Sequence, residues 1–439
     1  MCNKIKIAIV GLGYVGLVTG ACFSKIGYSV TGVDTDEEIV RNLNDGICPI
    51  YEPGLEEIIH ESQKRNLIKF TTNYEEAYKD ANYIFICVGT PENSDGSSNL
   101  NYVYTCAEQI ATYLQNDCII VIKSTVPVGT NANLQNLIKI NLKKSIKYDV
   151  VSNPEFLSQG SAVNDALNSS RIVIGTHCEE TDEKMRELYQ WYNCPIVSVS
   201  PNSAELIKYA SNNFLALKIS YINDIANLCE LVNADIEDVV SGMCLDKRIG
   251  QHFFNAGVGY GGSCFEKDAK ALYHIAKENG YDLKTVKSGL DVNHEQKTHL
   301  FKKANSLYEL RNLKIAVLGL TFKPNTDDCR HAPSLENFSV LLEAGNEIVA
   351  FDPKGIEKFK KVFPEGIYDK GKVKYVKSIN EALKNADICF LFTEWDEFKS
   401  LQPDDFIGAM KTPIVFDGRN MFDKNKFINA GVKYYSIGR

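Results

Sequence analysis

The sequence predicts an α/β protein built from two doubly wound sheets joined by a helical middle, and three observations carry that prediction. An apolar strand pattern from Lys4 to Val10 runs straight into Gly11-Leu12-Gly13-Tyr14-Val15-Gly16 and then a helix. Nearly the same strand returns as Lys314-Ile315-Ala316-Val317-Leu318-Gly319-Leu320. Between the two copies, Ser203 to about Leu231 reads as one long helix. At 439 residues the chain exceeds one ordinary core. The expected domains are 1–200, 201–300 and 301–439, with the long helix as the connection in place of a low-complexity linker.

In the first copy, Gly11 permits the tight turn, Gly13 leaves room for a pyrophosphate and Gly16 lets the helix meet the sheet. A second strand, Ser29 to Val33, ends on Asp34. An acid at that distance binds an adenosine ribose diol and repels a 2′-phosphate, so the expected dinucleotide is NAD rather than NADP. Further strands are expected at Tyr83–Val88, Cys118–Ile122, Asp149–Ser152 and Arg171–Gly175. Three of them run into polar, proline-marked turns: Gly89-Thr90-Pro91, Lys123-Ser124-Thr125-Val126-Pro127 and Asn153-Pro154-Glu155-Phe156-Leu157. Ligands sit at such strand ends in open parallel sheets.

On the long helix, Lys208 and Asn212 are four residues apart and share a face, an arrangement suited to a developing oxyanion. Helical pattern continues to about Met243. Then comes Gly257-Val258-Gly259-Tyr260-Gly261-Gly262-Ser263-Cys264, followed by a charged helix-like run from Glu266 to Lys277. A helix beginning just after Cys264 brings backbone N–H groups and a positive dipole end to its sulfur and favours the thiolate nucleophile. Asp268, four residues on, falls one turn away. Another long helix is expected over roughly Thr285 to Glu309. The second copy has strands at Glu347–Phe351, ending at Asp352 as the first ends at Asp34, and at Ile388–Thr393 and Ile414–Asp417. It lacks the glycine fingerprint and is expected to hold a different nucleotide.

Composition narrows the function. A net charge of −8 argues against a general nucleic-acid binder. The thirteen cysteines include no C-x-x-C pair, which reads as reduced thiols in a cytoplasmic protein without a disulfide framework or zinc site. The seven histidines are dispersed, so no metal is expected. Lys4 and Lys6 precede an uncharged run to Ser24, but Gly11, Gly13, Gly16 and Gly20 within it fit a strand, turn and helix better than a signal peptide. No stretch is long and apolar enough to predict a bilayer span.

Together these motifs, with Ser124-Thr125-Val126-Pro127-Val128-Gly129-Thr130, Phe322-Lys323-Pro324 and Phe416-Asp417-Gly418-Arg419, resemble the UDP-glucose/GDP-mannose dehydrogenase family over essentially the whole length. The resemblance implies two Rossmann-like domains around a central helical domain, and a homodimer built on the middle helices. It implies NAD-dependent four-electron oxidation of UDP-glucose to UDP-glucuronate through a thiohemiacetal and thioester on Cys264. Lys208, Asn212, Asp268, Glu155 and Thr125 are the other catalytic positions it implies. For the cofactor it implies Gly11, Gly13, Val15, Gly16, Asp34, Thr90, Pro91, Ser124, Thr125, Lys267 and Arg330. Around the nucleotide sugar it places Phe156, Leu157, Lys208, Asn212, Phe253, Gly261 and Lys323, with Arg419 nearby and Arg248 reaching across the dimer.

The nearest alternative is a GDP-mannose or other nucleotide-sugar dehydrogenase of the same family. Ser263 and Ala269 disfavour the N-acetylhexosamine type, and Lys323 to Asp328 favours the UDP-glucose type. A one-step hydroxy-acid dehydrogenase would have no use for Cys264 with Asp268. A catalytically inert nucleotide-sugar binder would have lost Cys264, Lys208 or Asp268, and all three are present. Departures from the family pattern are Glu266 where relatives often carry Pro, Asn99 where Asp is common, and Ser169-Ser170 ahead of Arg171 in place of a usual Pro.

Overall fold

A computed structural model describes residues 5–439, and the chain divides into two compact units. One takes in the chain up to Ser211 together with Lys270–Tyr281; the other holds Asn212–Ala269 and Asp282–Arg439.

The first unit is wound on eight strands: β1 (Lys6–Val10), β2 (Ser29–Val33), β3 (Ile68–Thr71), β4 (Tyr83–Ile86), β5 (Cys118–Ile122), β6 (Tyr148–Ser152), β7 (Ile172–Gly175) and β8 (Ile196–Val199). Their spatial order is β3-β2-β1-β4-β5-β6-β7-β8. Lys4, expected to open the first strand, lies outside the described residues. Along β1, Ile7 and Ile9 enter one core cluster while Ala8 and Val10 enter another. Both faces are therefore covered, which is why the strand reads as a continuous apolar run. The sheet is parallel except at one junction. β7 meets β6 antiparallel through Ser152 and Gly175, then pairs with β8 in parallel. The connection from β6 carries only the short helix Ala162–Leu167, which packs on the helix Tyr14–Ile26. No full crossover is built there, so the chain re-enters the sheet reversed.

The second unit repeats the plan with β9 (Lys314–Leu318), β10 (Glu347–Phe351), β11 (Gly366–Ile367), β12 (Lys372–Tyr375), β13 (Ile388–Leu391), β14 (Ile414–Asp417) and β15 (Lys433–Ser436). Their order is β11-β12-β10-β9-β13-β14-β15, parallel except for the antiparallel edge strand β11. The repeat extends to atomic detail. Gly11 and Gly319 both take φ +92. Asp34 Oδ2 accepts from Leu12 N at 2.7 Å, and Asp352 Oδ2 accepts from Leu320 N at 2.7 Å.

The long helix spans Pro201–Val232. It opens on a proline, whose missing N–H is no loss in a first turn, and the chain turns off it at Asn233, which takes φ 55. Asp235 then caps Ile236–Cys244 through Glu237 N. Near its start Glu205 accepts from Gly129 N at 2.7 Å and Asn131 N at 2.8 Å, tying this helix to the turn after β5. The single helix expected over Thr285–Glu309 is two, Lys284–Gln296 and His299–Leu307. The break falls where Lys297 is called away: its carbonyl accepts from Asn337 Nδ2 at 2.7 Å, and its buried ammonium pairs with Glu266 at 3.0 Å and Glu336 at 3.1 Å.

Candidate active site

In the first unit, the turn after β1 forms a cradle. Gly13 is exposed, with nothing within 4 Å of where a Cβ would stand. A Cβ at Gly16 would overlap the carbonyl of Gly11, so only glycine lets the helix start press on the turn. That helix, Tyr14–Ile26, has no side-chain cap and no acid in its first turn. Its N-terminal N–H groups and dipole suit a pyrophosphate, with Val15 in the first turn. Asp34 fits a ribose diol: it is part-exposed and held by Leu12 N and by Asp36 N at 3.1 Å. Thr90, followed by Pro91, donates its hydroxyl to Thr125 O at 2.8 Å, and Ser124 donates to Val88 O at 2.6 Å, so the ends of β4 and β5 are locked together. These residues fit NAD. The second copy does not offer the same site, because Asp352 is spent. Its oxygens accept from Leu320 N, Thr321 N, Trp395 Nε1, Lys354 N and Gly355 N.

After β6, the turn Asn153–Leu157 carries a buried carboxylate. Glu155 Oε1 accepts from Lys208 Nζ at 2.8 Å, and Oε2 accepts from Leu157 N. Burial pushes the Glu155 pKa up, but Lys208, the Leu157 N–H and Lys123 outweigh it and hold the carboxyl below its usual range. Such a carboxylate is a weak base and a good anchor. Phe156 lies under the Arg171 guanidinium, 3.8 Å from ring centroid to Cζ, and Arg171 also donates to Ser211 Oγ at 3.1 Å. A cavity of about 250 Å³ opens here, with Lys123, Glu155, Phe156, Leu157 and Arg171 in its wall. Thr125 and Lys208 line a second, water-sized space of about 10 Å³.

The second unit presents the thiol. Helix Phe265–Glu278 begins one residue after Cys264, whose carbonyl accepts from Asp268 N at 2.8 Å. Cys264 therefore sits at the cap, where the dipole favours thiolate. It is exposed, whereas the other described cysteines are buried or half-buried. The loop before it is pinned on several sides. Gly257 N donates to Asn223 Oδ1, Tyr260 N to Asn293 Oδ1, and Gly262 N to Arg330 O. Gly259 and Gly262 both take φ +83; a Cβ at Gly262 would stand 2.9 Å from the Phe322 ring, and one at Gly261 would overlap His331 O. Phe253 takes φ 68, a strained setting for a bulky residue, with its ring 6.3 Å from that of Phe265.

Asp268 is buried and held at both oxygens, by Asn212 Nδ2 at 2.7 Å and Lys267 Nζ at 2.8 Å. Arg330 makes a bidentate pair with Asp328, which raises the arginine's pKa; Cys264 adds to that rise. Arg419 donates to the carbonyls of Phe392, Gly259 and Phe322, so it clamps three segments of the second unit through their backbones. Lys323 Nζ lies 5.7 Å from the Phe322 ring. Arg248 is highly exposed and paired with Asp246.

The expected residues thus form two constellations, one within each unit: Glu155–Lys208 in the first, and Cys264, Asp268, Asn212, Lys267 and Arg330 in the second. Spacing alone had coupled Lys208 to Asn212, but each takes a carboxylate from a different part of the chain. Two residues escaped the sequence reading. Lys123 had a visible sign, a lysine closing the wholly apolar strand Cys118–Ile122. Arg171 stacking on Phe156 had none.

A fingerprint turn, an acid just after the second strand, and an exposed thiol at a helix start one turn from a buried carboxylate fit a dinucleotide-dependent oxidoreductase. Comparison with known proteins narrows this class. The NAD binding domain of the UDP-glucose/GDP-mannose dehydrogenase family matches residues 5–193, its central domain 202–295 and its UDP binding domain 316–424. The chain belongs to that family. It is 45% identical over 436 residues to UDP-glucose 6-dehydrogenase YwqF of Bacillus subtilis, covering 99% of this chain and 98% of the relative. A solved UDP-glucose dehydrogenase from Pyrobaculum islandicum superposes with a TM-score of 0.90 at 35% identity, covering 98% and 97% of the two chains. A UDP-D-ManNAc dehydrogenase from Pyrococcus horikoshii superposes with a TM-score of 0.86 at 26% identity, covering 99% of each.

Proposed function

We propose that this chain oxidises UDP-glucose to UDP-glucuronate in the cytoplasm: UDP-glucose, two NAD⁺ and water give UDP-glucuronate, two NADH and three protons. The observation that carries the reading is Cys264, an exposed thiol at a helix start in a chain so similar to UDP-glucose 6-dehydrogenases. Gly11, Gly13, Val15, Gly16, Asp34 and the Thr90–Pro91 and Ser124–Thr125 turns, with Lys267 and Arg330 contributing, would hold NAD, which would supply the hydride acceptor for each of the two oxidations.

The chain's own residues do the rest. Lys208 and Asn212 stabilise the oxygen at C6 as charge develops on it. Cys264 Sγ bonds to the aldehyde carbon, and the aldehyde is retained as a thiohemiacetal. Once that adduct is oxidised to the thioester, water adds at C6, the C–S bond breaks and the thiolate returns. Asp268 is the carboxylate best suited to direct that water. Glu155, held ionised by Lys208, serves as an anchor, and Thr125 acts through a bound water. Phe156 and Leu157 in the first unit, and Phe253, Gly261 and Lys323 in the second, are the positions assigned to the nucleotide sugar, with Arg419 fixing the loops of Gly261 and Lys323 through Gly259 O and Phe322 O.

The working form is a homodimer in which Arg248 reaches the partner's site. Phe214, Tyr221 and Leu228 recur every seven residues on the long helix and are 62%, 50% and 51% exposed. An apolar stripe of that size on a soluble chain calls for a cover, and a second copy of the same helix supplies one. Among the described residues, no helix is long and apolar enough to cross a membrane.

The test is NADH yield at completion, with UDP-glucose and with GDP-mannose. Two NADH per UDP-glucose and none from GDP-mannose is the expected result. One NADH per sugar would remove Cys264 from the role given to it, and turnover of GDP-mannose alone would move the substrate assignment.

A further inference from the structure

We propose that Lys123 is a positioning residue for this oxidation, its ammonium anchoring the turn that carries Glu155. The inference rests on the activity proposed above and concerns the first unit alone. β5 is buried and apolar from Cys118 to Ile122, and Lys123 is the next residue. Its Nζ donates to Asn153 Oδ1 at 3.1 Å and to Asn153 O at 3.4 Å. Asn153 opens the turn, two residues before Glu155. The same amide is held from two further elements: Asn153 Nδ2 donates to Val173 O on β7 at 2.8 Å, and Tyr189 OH, at the end of helix Glu179–Leu188, donates to Asn153 Oδ1 at 2.6 Å. One ammonium therefore joins the end of β5 to the turn that bears Glu155.

Charge makes the tie conditional. Lys123 is only partly accessible, through the cavity that it lines. Burial lowers its pKa to about 8; Cys87 and Glu155 oppose that fall, and Lys208 adds to it. The other titratable groups in the cavity wall are Cys22, Asp165, Arg171, Tyr189 and Tyr192. The Cys22 and Cys87 thiols are both pushed up to about 12, and both tyrosines are raised, so none of these four changes charge near pH 8. Lys123 does. As it becomes an amine, its bonds to Asn153 lose their charge assistance, and Glu155 loses one of its two cations. An ammonium in this place costs stability that an apolar side chain of similar size would spare. Its use lies in holding the turn.

The test is the pH dependence of kcat for the full-length enzyme with UDP-glucose and NAD. Wild type should lose turnover on the alkaline side with a midpoint near 8. In Lys123→Gln, which keeps a donor but no charge, kcat should fall roughly tenfold or more at neutral pH with little change in the KM for UDP-glucose, and the alkaline limb should vanish. Asn153→Asp places a carboxylate on the ammonium and should move the limb up by about one pH unit or more; it decides the matter if Lys123→Gln does not fold. A wild type without an alkaline limb, a limb that persists unmoved in either variant, or an unchanged kcat in Lys123→Gln would overturn the assignment. A wild type that makes no NADH from UDP-glucose would instead sink the activity on which the assignment rests.

Discussion

Cys264 differs from the other described cysteines by place rather than by type. Cys87, Cys106 and Cys22 are pushed up to about 12 by burial and stay inert thiols. Cys264 is exposed at the start of a fourteen-residue helix. We expect Cys264→Ser to yield at most one NADH per UDP-glucose and to lower turnover by about 10³-fold or more, read as NADH stoichiometry and initial rate. The Glu155–Lys208 pair gives a second prediction. Both partners are buried, so removing either one alone should cost about 3–5 kcal/mol, and removing both in Glu155→Gln/Lys208→Met should cost less than the sum, as a double-mutant cycle in urea would show. The Glu155 carboxyl has its pKa lowered by folding. Its contribution is therefore complete above the ordinary carboxylate range and lost as the pH falls through the lowered value, so the single variants should differ least from wild type in acid. Lys123 runs the other way. Its folded pKa, about 8, lies below the ordinary 10.5. The cost of its charge is fully present below 8 and is relieved as the pH rises toward 10.5.

At the scale of elements, what was legible in the sequence was what is buried on both faces. β5, β10 and β14 fall where their apolar runs place them, because a parallel strand covered on both sides has few polar positions to blur the pattern. β3, β8, β12 and β15 were not read at all. Their sequences, Ile68–Thr71, Ile196–Val199, Lys372–Tyr375 and Lys433–Ser436, alternate or mix polar residues at or beside sheet edges. The helix break after Gln296 was also hidden, since it is set by Glu266, Glu336 and Asn337, which are remote in sequence. The motifs of the candidate site stand out in the sequence because glycine and cysteine spacings are local; the partners of Lys208 and Asn212 do not, because they are tertiary. The glycine loop gives a prediction with a built-in contrast. Gly262→Ala meets both φ +83 and the Phe322 ring, and should cost about 1–3 kcal/mol and lower kcat by displacing Cys264. Gly408→Ala, within helix Pro403–Ala409, meets nothing within 4 Å and should stabilise by about 0.5–1 kcal/mol with turnover unchanged. Thermal melts and kcat distinguish the two signs.

At the scale of the molecule, the repeat explains why two sheets of one plan take different work. Gly11 and Gly319 make the same turn, and Asp34 and Asp352 make the same first bond. In the first copy the acid is part-exposed; in the second it is buried and consumed by backbone and by Trp395, so the site for a second dinucleotide is closed from within. The chain then has an NAD unit, a unit bearing the thiol, and an exposed stripe of Phe214, Tyr221 and Leu228. If a second copy covers that stripe and Arg248 completes the partner's site, two inactive variants should rescue each other. Arg248→Ala keeps Cys264, and Cys264→Ser keeps Arg248. In a mixed dimer one site has both residues intact and the other has neither. Random exchange of subunits makes half the dimers mixed, so mixing should restore about one quarter of wild-type turnover per chain. Phe214→Lys/Tyr221→Lys, which charges the stripe, should give monomers in sedimentation and abolish the rescue. Rescue absent in dimers that do exchange would place Arg248 in its own chain's site.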